Sequence, residues 1–132
     1  NEAVIVLLTL SYSLILGIIV AQVILTAPVV FKVLDNENAS KFLRAIFPRY
    51  YLLLFLICLV ASLISYLWFS AVDTWIALTA SMLAFIGFII IPVTNSARDR
   101  GWNKLFKILH NISVLNTIIL FIIAVAQLVR IS

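Results

Sequence analysis

The sequence predicts an all-α membrane protein. Its architecture is a bundle of four transmembrane helices, with a short amphipathic interfacial helix between the first and second. Three observations carry this. Hydrophobic residues make up 65% of the 132 and charged residues 11%, against roughly 45–50% and about 25% in soluble domains, so a fold this small could not cover itself with polar atoms. Four windows, 3–31, 50–72, 74–97 and 108–129, contain no Asp, Glu, Lys or Arg, so all the charges fall between or beyond them. Each window exceeds the roughly 20 apolar residues that cross a bilayer as a helix. This pattern excludes a soluble enzyme, a nucleic-acid module and a disordered tail.

The first span, 3–31, would run about 43 Å at 1.5 Å per residue, so it must tilt, bend or protrude. Pro28 supplies a bend by removing a backbone donor. The span lacks the basic start and the short apolar core of a cleavable signal peptide. The chain starts at Asn1 rather than Met, so further residues can precede it. Between spans one and two, Asp35 and Asn36 can cap a helix start. Phe42, Leu43, Ile46 and Phe47 there alternate with Lys41 and Arg44 as in a helix lying on a membrane surface. The second span, 50–72, holds the lone cysteine, Cys58, which has no internal disulfide partner. A turn at Asp73 leads to the third span, 74–92, expected to stop near Pro92, which disfavours helical geometry at Ile91. Residues 97–107 connect to the fourth span, 108–129. Tyr50, Tyr51, Trp68, Trp75 and Trp102 sit where interfacial aromatic anchors belong.

Eight of the nine Lys and Arg residues lie in 32–49 and 97–107. The positive-inside rule makes both loops cytoplasmic and puts both termini outside, with a bacterial inner membrane as the expected location. Ser13, Gly17 and Ala21 on span one form a small-residue stripe. So do Cys58, Ala61, Ser62 and Ser65 on span two, and Ala77, Ala80, Ala84 and Gly87 on span three. Such faces let helices approach closely. They are expected inside the bundle, and part of that surface could instead hold a second copy, making a homo-oligomer.

Polar groups inside a span are functional candidates by default. His110 lies about 4–5 Å beyond Lys107, Asn116 roughly 13 Å beyond it, and Gln22 about 15 Å from Lys32. His110, Ser113 and Thr117 are spaced for one helix face. With Asn95, Arg98, Arg49 and Tyr50, these residues predict a polar pocket open to the cytoplasm and centred near His110. The opposing reading is that Gln22 and Asn116 serve only as interhelical hydrogen-bond glue. Catalytic chemistry is missing. A zinc site wants about three protein ligands, and the spans hold one His and no acid. Copper transport wants several Met, Cys or His, and Met82, Cys58 and His110 are one of each on three helices.

The polar residues also form an ordered set. Pro28-Val29-Val30-Phe31 ends the first span, and Phe47-Pro48-Arg49-Tyr50 begins the second. Pro92-x-x-Asn95-x-x-Arg98 closes the third, and Phe106-x-x-x-His110-x-x-Ser113-x-x-Asn116 opens the fourth. Over nearly the whole chain this set resembles the transmembrane protein 205-like family. That is a group of small four-helix membrane proteins carrying a domain of unknown function, distantly related to the copper-resistance D group. The resemblance implies signature positions at Pro28, Phe31, Tyr50, Pro92, Asn95, Arg98, His110, Ser113 and Asn116. Haem-binding relatives use more than one intramembrane ligand. A second histidine is absent here, which leaves at most a single-histidine haem b with His110 as axial ligand.

Three functions follow as expectations. The first is binding or transport of a small polar or anionic solute through the pocket around His110. The alternatives are a haem- or metal-binding redox protein and a structural subunit of a membrane complex. The lipid bilayer is the expected partner; nucleic acid is not, and neither is an enzymatic activity.

Overall fold

The computed structural model describes residues 1–132, almost all of them helical. The elements in order are α1 (Glu2–Val20), a π-helical segment (Ala21–Thr26), α2 (Ala27–Val33), α3 (Asn36–Trp68), α4 (Ala71–Asp99) and α5 (Asn103–Ile131). The first three are one continuous crossing, so four helices are long and apolar enough to span a membrane. Each packs on its neighbours in sequence, and α1 closes the ring against α5. Chain reversal at each turn gathers the two termini and the α3–α4 turn at one end, hereafter the termini end. The α2–α3 and α4–α5 turns occupy the other, the basic end.

Three local expectations are corrected. The amphipathic stretch between spans one and two is not a separate helix on the surface. It forms the first turns of α3, which runs unbroken through Pro48. At about 1.5 Å per residue α3 is roughly 50 Å long, well beyond a hydrocarbon core of about 30 Å. What holds its start upright is α4. That helix likewise continues through Pro92 to Asp99 instead of stopping. Where the two extensions run side by side Ala39 and Ala97 are buried, and Arg44 grips Asp99 through two bonds of 2.9 and 2.6 Å.

The third correction concerns α1. Its buried face is Leu8, Tyr12, Ile15 and Ile19, while Ser13 and Gly17 of the expected small stripe are exposed. Large residues of α1 instead share one buried core with the small residues of the other helices, and α1 itself packs on α3 and α5. Cys58, Ala61, Ser62 and Ser65 of α3 and Ala77, Ala80, Ala84 and Gly87 of α4 are buried, as their spacing predicts. In lipid the association rests on such van der Waals fit, because lipid tails are as apolar as the side chains.

The prolines and glycines act locally. The Pro28 ring would strike the carbonyl of Ile24 in a regular helix. The preceding turns widen into the π-helical segment, and the Ala27 N–H reaches back five residues to the Gln22 carbonyl. At the basic end Gly101 takes φ +73°. Its N–H bonds Arg98 and that of Trp102 bonds the Ala97 carbonyl at 2.9 Å, a Schellman closure that favours glycine. Asp35 caps α3 by accepting from the Asn38 N–H at 2.8 Å.

Candidate functional site

α5 decides which polar groups face inward. Its buried residues are Asn116, Leu120, Ala124, Gln127 and Ile131, spaced by three or four as one helix face requires. His110 lies six residues before Asn116, which places it about 120° around the helix. Its side chain is exposed, and its ring stacks on Phe106 at 5.9 Å and 12°. Arg98, also exposed, lies over the same Phe106 ring, 5.4 Å from its centroid. Phe106 thus brings His110 and Arg98 together on the outside of the bundle.

The residues expected around one pocket divide accordingly. Gln22, Tyr50 and Asn116 are buried, Asn95 and Ser113 half-buried, and His110, Arg98 and Arg49 exposed. Arg49 donates to the Ala45 carbonyl of its own helix at 2.6 Å. A pocket centred on His110 does not form within one chain, because the α5 face that carries His110 is turned outward. For the same reason a haem ligated by His110 would lie against the outer surface. No three His, Cys, Asp or Glu residues approach closely enough to hold a metal ion.

The buried members form a layer in the basic half of the bundle. Tyr50 and Tyr51 meet edge to face at 4.9 Å. Both lie beside Thr117 of α5, a helix diagonal to α3, so the tyrosines cross the bundle interior. The Tyr51 ring lies over Gly87 of α4, where no Cβ would fit. Asn116 donates to the Leu83 carbonyl of α4 at 2.8 Å. Two amide atoms have no partner: the Asn116 Oδ1 and the Gln22 Nε2, on residues 5% and 6% exposed. A buried amide group left unmet costs about 1–3 kcal/mol. Gln22 belongs to the π-helical segment, and such widened turns often occur at functional sites.

A second polar cluster, which sequence reasoning missed, lies at the termini end. Asp73 is only 2% exposed. One carboxylate oxygen accepts from Gln127 Nε2 at 2.9 Å and from Arg130 Nε at 3.3 Å, and the other accepts the Ser70 hydroxyl. Ser70 is the N-cap of α4 and takes the Asp73 N–H at 3.2 Å. Asp73 is therefore both part of a helix cap and the bolt between α4 and α5. The hydroxyls of Tyr12, which lies beside Gln127, and of Ser65 are buried without partners. The available signals were Ser70-x-x-Asp73, a capping-box spacing, and Gln127 with Arg130 one turn apart.

Comparison with known protein families gives a match. The family described as a domain of unknown function (DUF4149) matches residues 10–103, most of the chain, from α1 to the start of α5. No curated protein and no solved structure matches the chain.

Proposed function

The chain belongs to the DUF4149 family, whose domain has no assigned function, and from that premise we propose that this integral membrane protein binds or moves a small polar or anionic solute. The site would lie in the basic half of the bundle. The observation that carries this reading is the pair of unmet amide atoms on Gln22 and Asn116. One is a donor and the other an acceptor, both are buried, and an intramembrane polar group without a partner invites a ligand. Tyr50, Tyr51 and Thr117 supply further hydroxyls in the same half. Arg49, Arg98 and His110 at the periphery would attract an anion toward it. In this reading the basic end faces the cytoplasm, following the positive-inside rule. The resemblance to the transmembrane protein 205-like family is retained as part of the proposal.

A structural role is the competing reading, and the Asn116 bond to the Leu83 carbonyl favours it. Thermal unfolding of the purified protein separates the two. Orthophosphate, acetate, glycerol and urea serve as probes. A bound probe raises stability by mass action, by about 2.7 kcal/mol at a hundred times its dissociation constant. The expected result is a rise in Tm with at least one probe, which Gln22→Leu abolishes although that variant alone unfolds no earlier than the parent. If no probe shifts the parent, the solute reading fails, and a loss of stability in Asn116→Leu then marks that amide as an interhelical hydrogen-bond group.

A further inference from the structure

The basic end carries a second feature, independent of any solute. Arg98, Arg100, Lys104 and Lys107 cluster around the α4–α5 turn. The one acid among them, Asp99, is held by Arg44 on α3, and none of the four cations has an acid partner of its own. Arg100 lies over the Trp102 ring, 5.0 Å from its centroid. Directly alongside, Trp102, Asn103, Lys104, Leu105 and Ile108 line an open groove of about 440 Å³. Its walls are mainly apolar, and Trp102, Leu105 and Ile108 are exposed along it. The surface therefore has two parts in register. Unneutralised positive charge stands at the α4–α5 turn, and a shallow, open apolar depression adjoins it at the start of α5.

We infer that this groove is a docking site for an anionic glycerophospholipid. Its phosphate is held among Arg100, Lys104 and Lys107, and an acyl chain lies along Leu105 and Ile108. Lys104 and Ile108 are one turn apart, about 6 Å, so charge and trough succeed each other as phosphate and acyl carbons do in a lipid. Positive-inside sorting accounts for the sign of these charges, and the exposed Leu105 and Ile108 beside them offer an acyl chain its place. A second copy of the chain is a poor occupant, since two-fold pairing of this face would oppose unpaired cations to one another. Free phosphate would leave the trough unfilled. Lys and Arg near a membrane surface attract anionic lipid by about 1 kcal/mol each.

Trp102 is a built-in reporter. In a Trp68→Phe, Trp75→Phe background it is the remaining tryptophan. The protein is placed in phosphatidylcholine vesicles doped with either dibrominated phosphatidylglycerol or dibrominated phosphatidylcholine, each in both leaflets, so that insertion direction does not matter. The expected result is stronger Trp102 quenching by the brominated phosphatidylglycerol. Lys104→Gln with Lys107→Gln should lower that preference by roughly thirtyfold, two charges at about 1 kcal/mol each, while Lys32→Gln, on α2, leaves it intact. Circular dichroism checks that the double variant remains helical. Equal quenching by the two lipids overturns the proposal. So does a preference that survives loss of both lysines, or one that inorganic phosphate abolishes at constant ionic strength.

Discussion

The buried carboxylate of Asp73 illustrates what a single residue controls and why it was hard to read. In the linear chain Asp73 stands in a short turn between two apolar windows, where an exposed acid is the natural expectation. Its partners Gln127 and Arg130 are more than fifty residues away, and nothing local announces them. For His110, which is exposed, the difficulty is the opposite one. It is the lone histidine and sits just inside a span, but Lys107, His110, Asn111, Ser113, Asn116 and Thr117 are spread around α5, so their spacing singles out no inward face. The face becomes clear only when Asn116, Leu120, Ala124 and Gln127 are taken as the repeating set. Gln22, Asn116 and Tyr50 put polar groups into a crossing, where facing lipid is costly, and all three are buried. For Asp73 a direct consequence follows. Asp73→Leu removes the acceptor for the Gln127 amide, which is itself buried, and also strips the α4 cap of its N3 carboxylate. Arg130, 49% exposed at its side chain, can turn to solvent, so its stranded charge adds little. The stranded amide sets the cost, about 1–3 kcal/mol. Equilibrium unfolding in mixed detergent would measure it, and Asp73→Asn, which keeps an acceptor, should lose less.

Among the elements, the crossings were legible and their ends were not. Charge-free windows report the hydrocarbon thickness, and helices can extend past it wherever another helix offers a partner. The extension of α4 through Pro92 shows the limit of proline as a stop signal. In an apolar setting the backbone remains helical because its remaining groups have nowhere else to bond, and Thr94 turns its hydroxyl back to the Ile90 carbonyl at 2.9 Å. Small residues were similarly ambiguous. The stripe of α4 is packed against α3, whereas that of α1 faces outward. Two glycines isolate the difference. A methyl group at Gly87 would overlap the buried Tyr51 ring, while nothing lies near the corresponding position at Gly17. Gly87→Ala should therefore destabilise by about 1–3 kcal/mol through overpacking. Gly17→Ala should be neutral or stabilising by up to about 1 kcal/mol, from helix propensity. Comparing the two Tm values in one detergent tests this. A Gly87→Ala protein as stable as Gly17→Ala would mean that α3 and α4 do not pack with the Tyr51 ring on Gly87.

Across the whole molecule, the two ends differ in kind. The termini end is fastened by one internally neutralised cluster, the Asp73 carboxylate with Arg130 and Gln127. The basic end displays cations that the chain does not neutralise. An uneven charge distribution of this sort orients a membrane protein during insertion, because translocating Lys and Arg is disfavoured. The orientation proposed here therefore makes a prediction separate from any ligand. In a Cys58→Ala background, a small buried substitution, cysteines introduced one at a time as Lys104→Cys and Glu2→Cys should behave oppositely. A membrane-impermeant maleimide added to intact cells should label the Glu2 position and spare the Lys104 position until the membrane is permeabilised. Either single change leaves most of the basic residues of the two loops in place, so the charge asymmetry that directs insertion is retained. The reverse labelling pattern would invert the molecule in the bilayer. The solute site and the lipid groove would then open to the opposite side, with their internal chemistry unchanged.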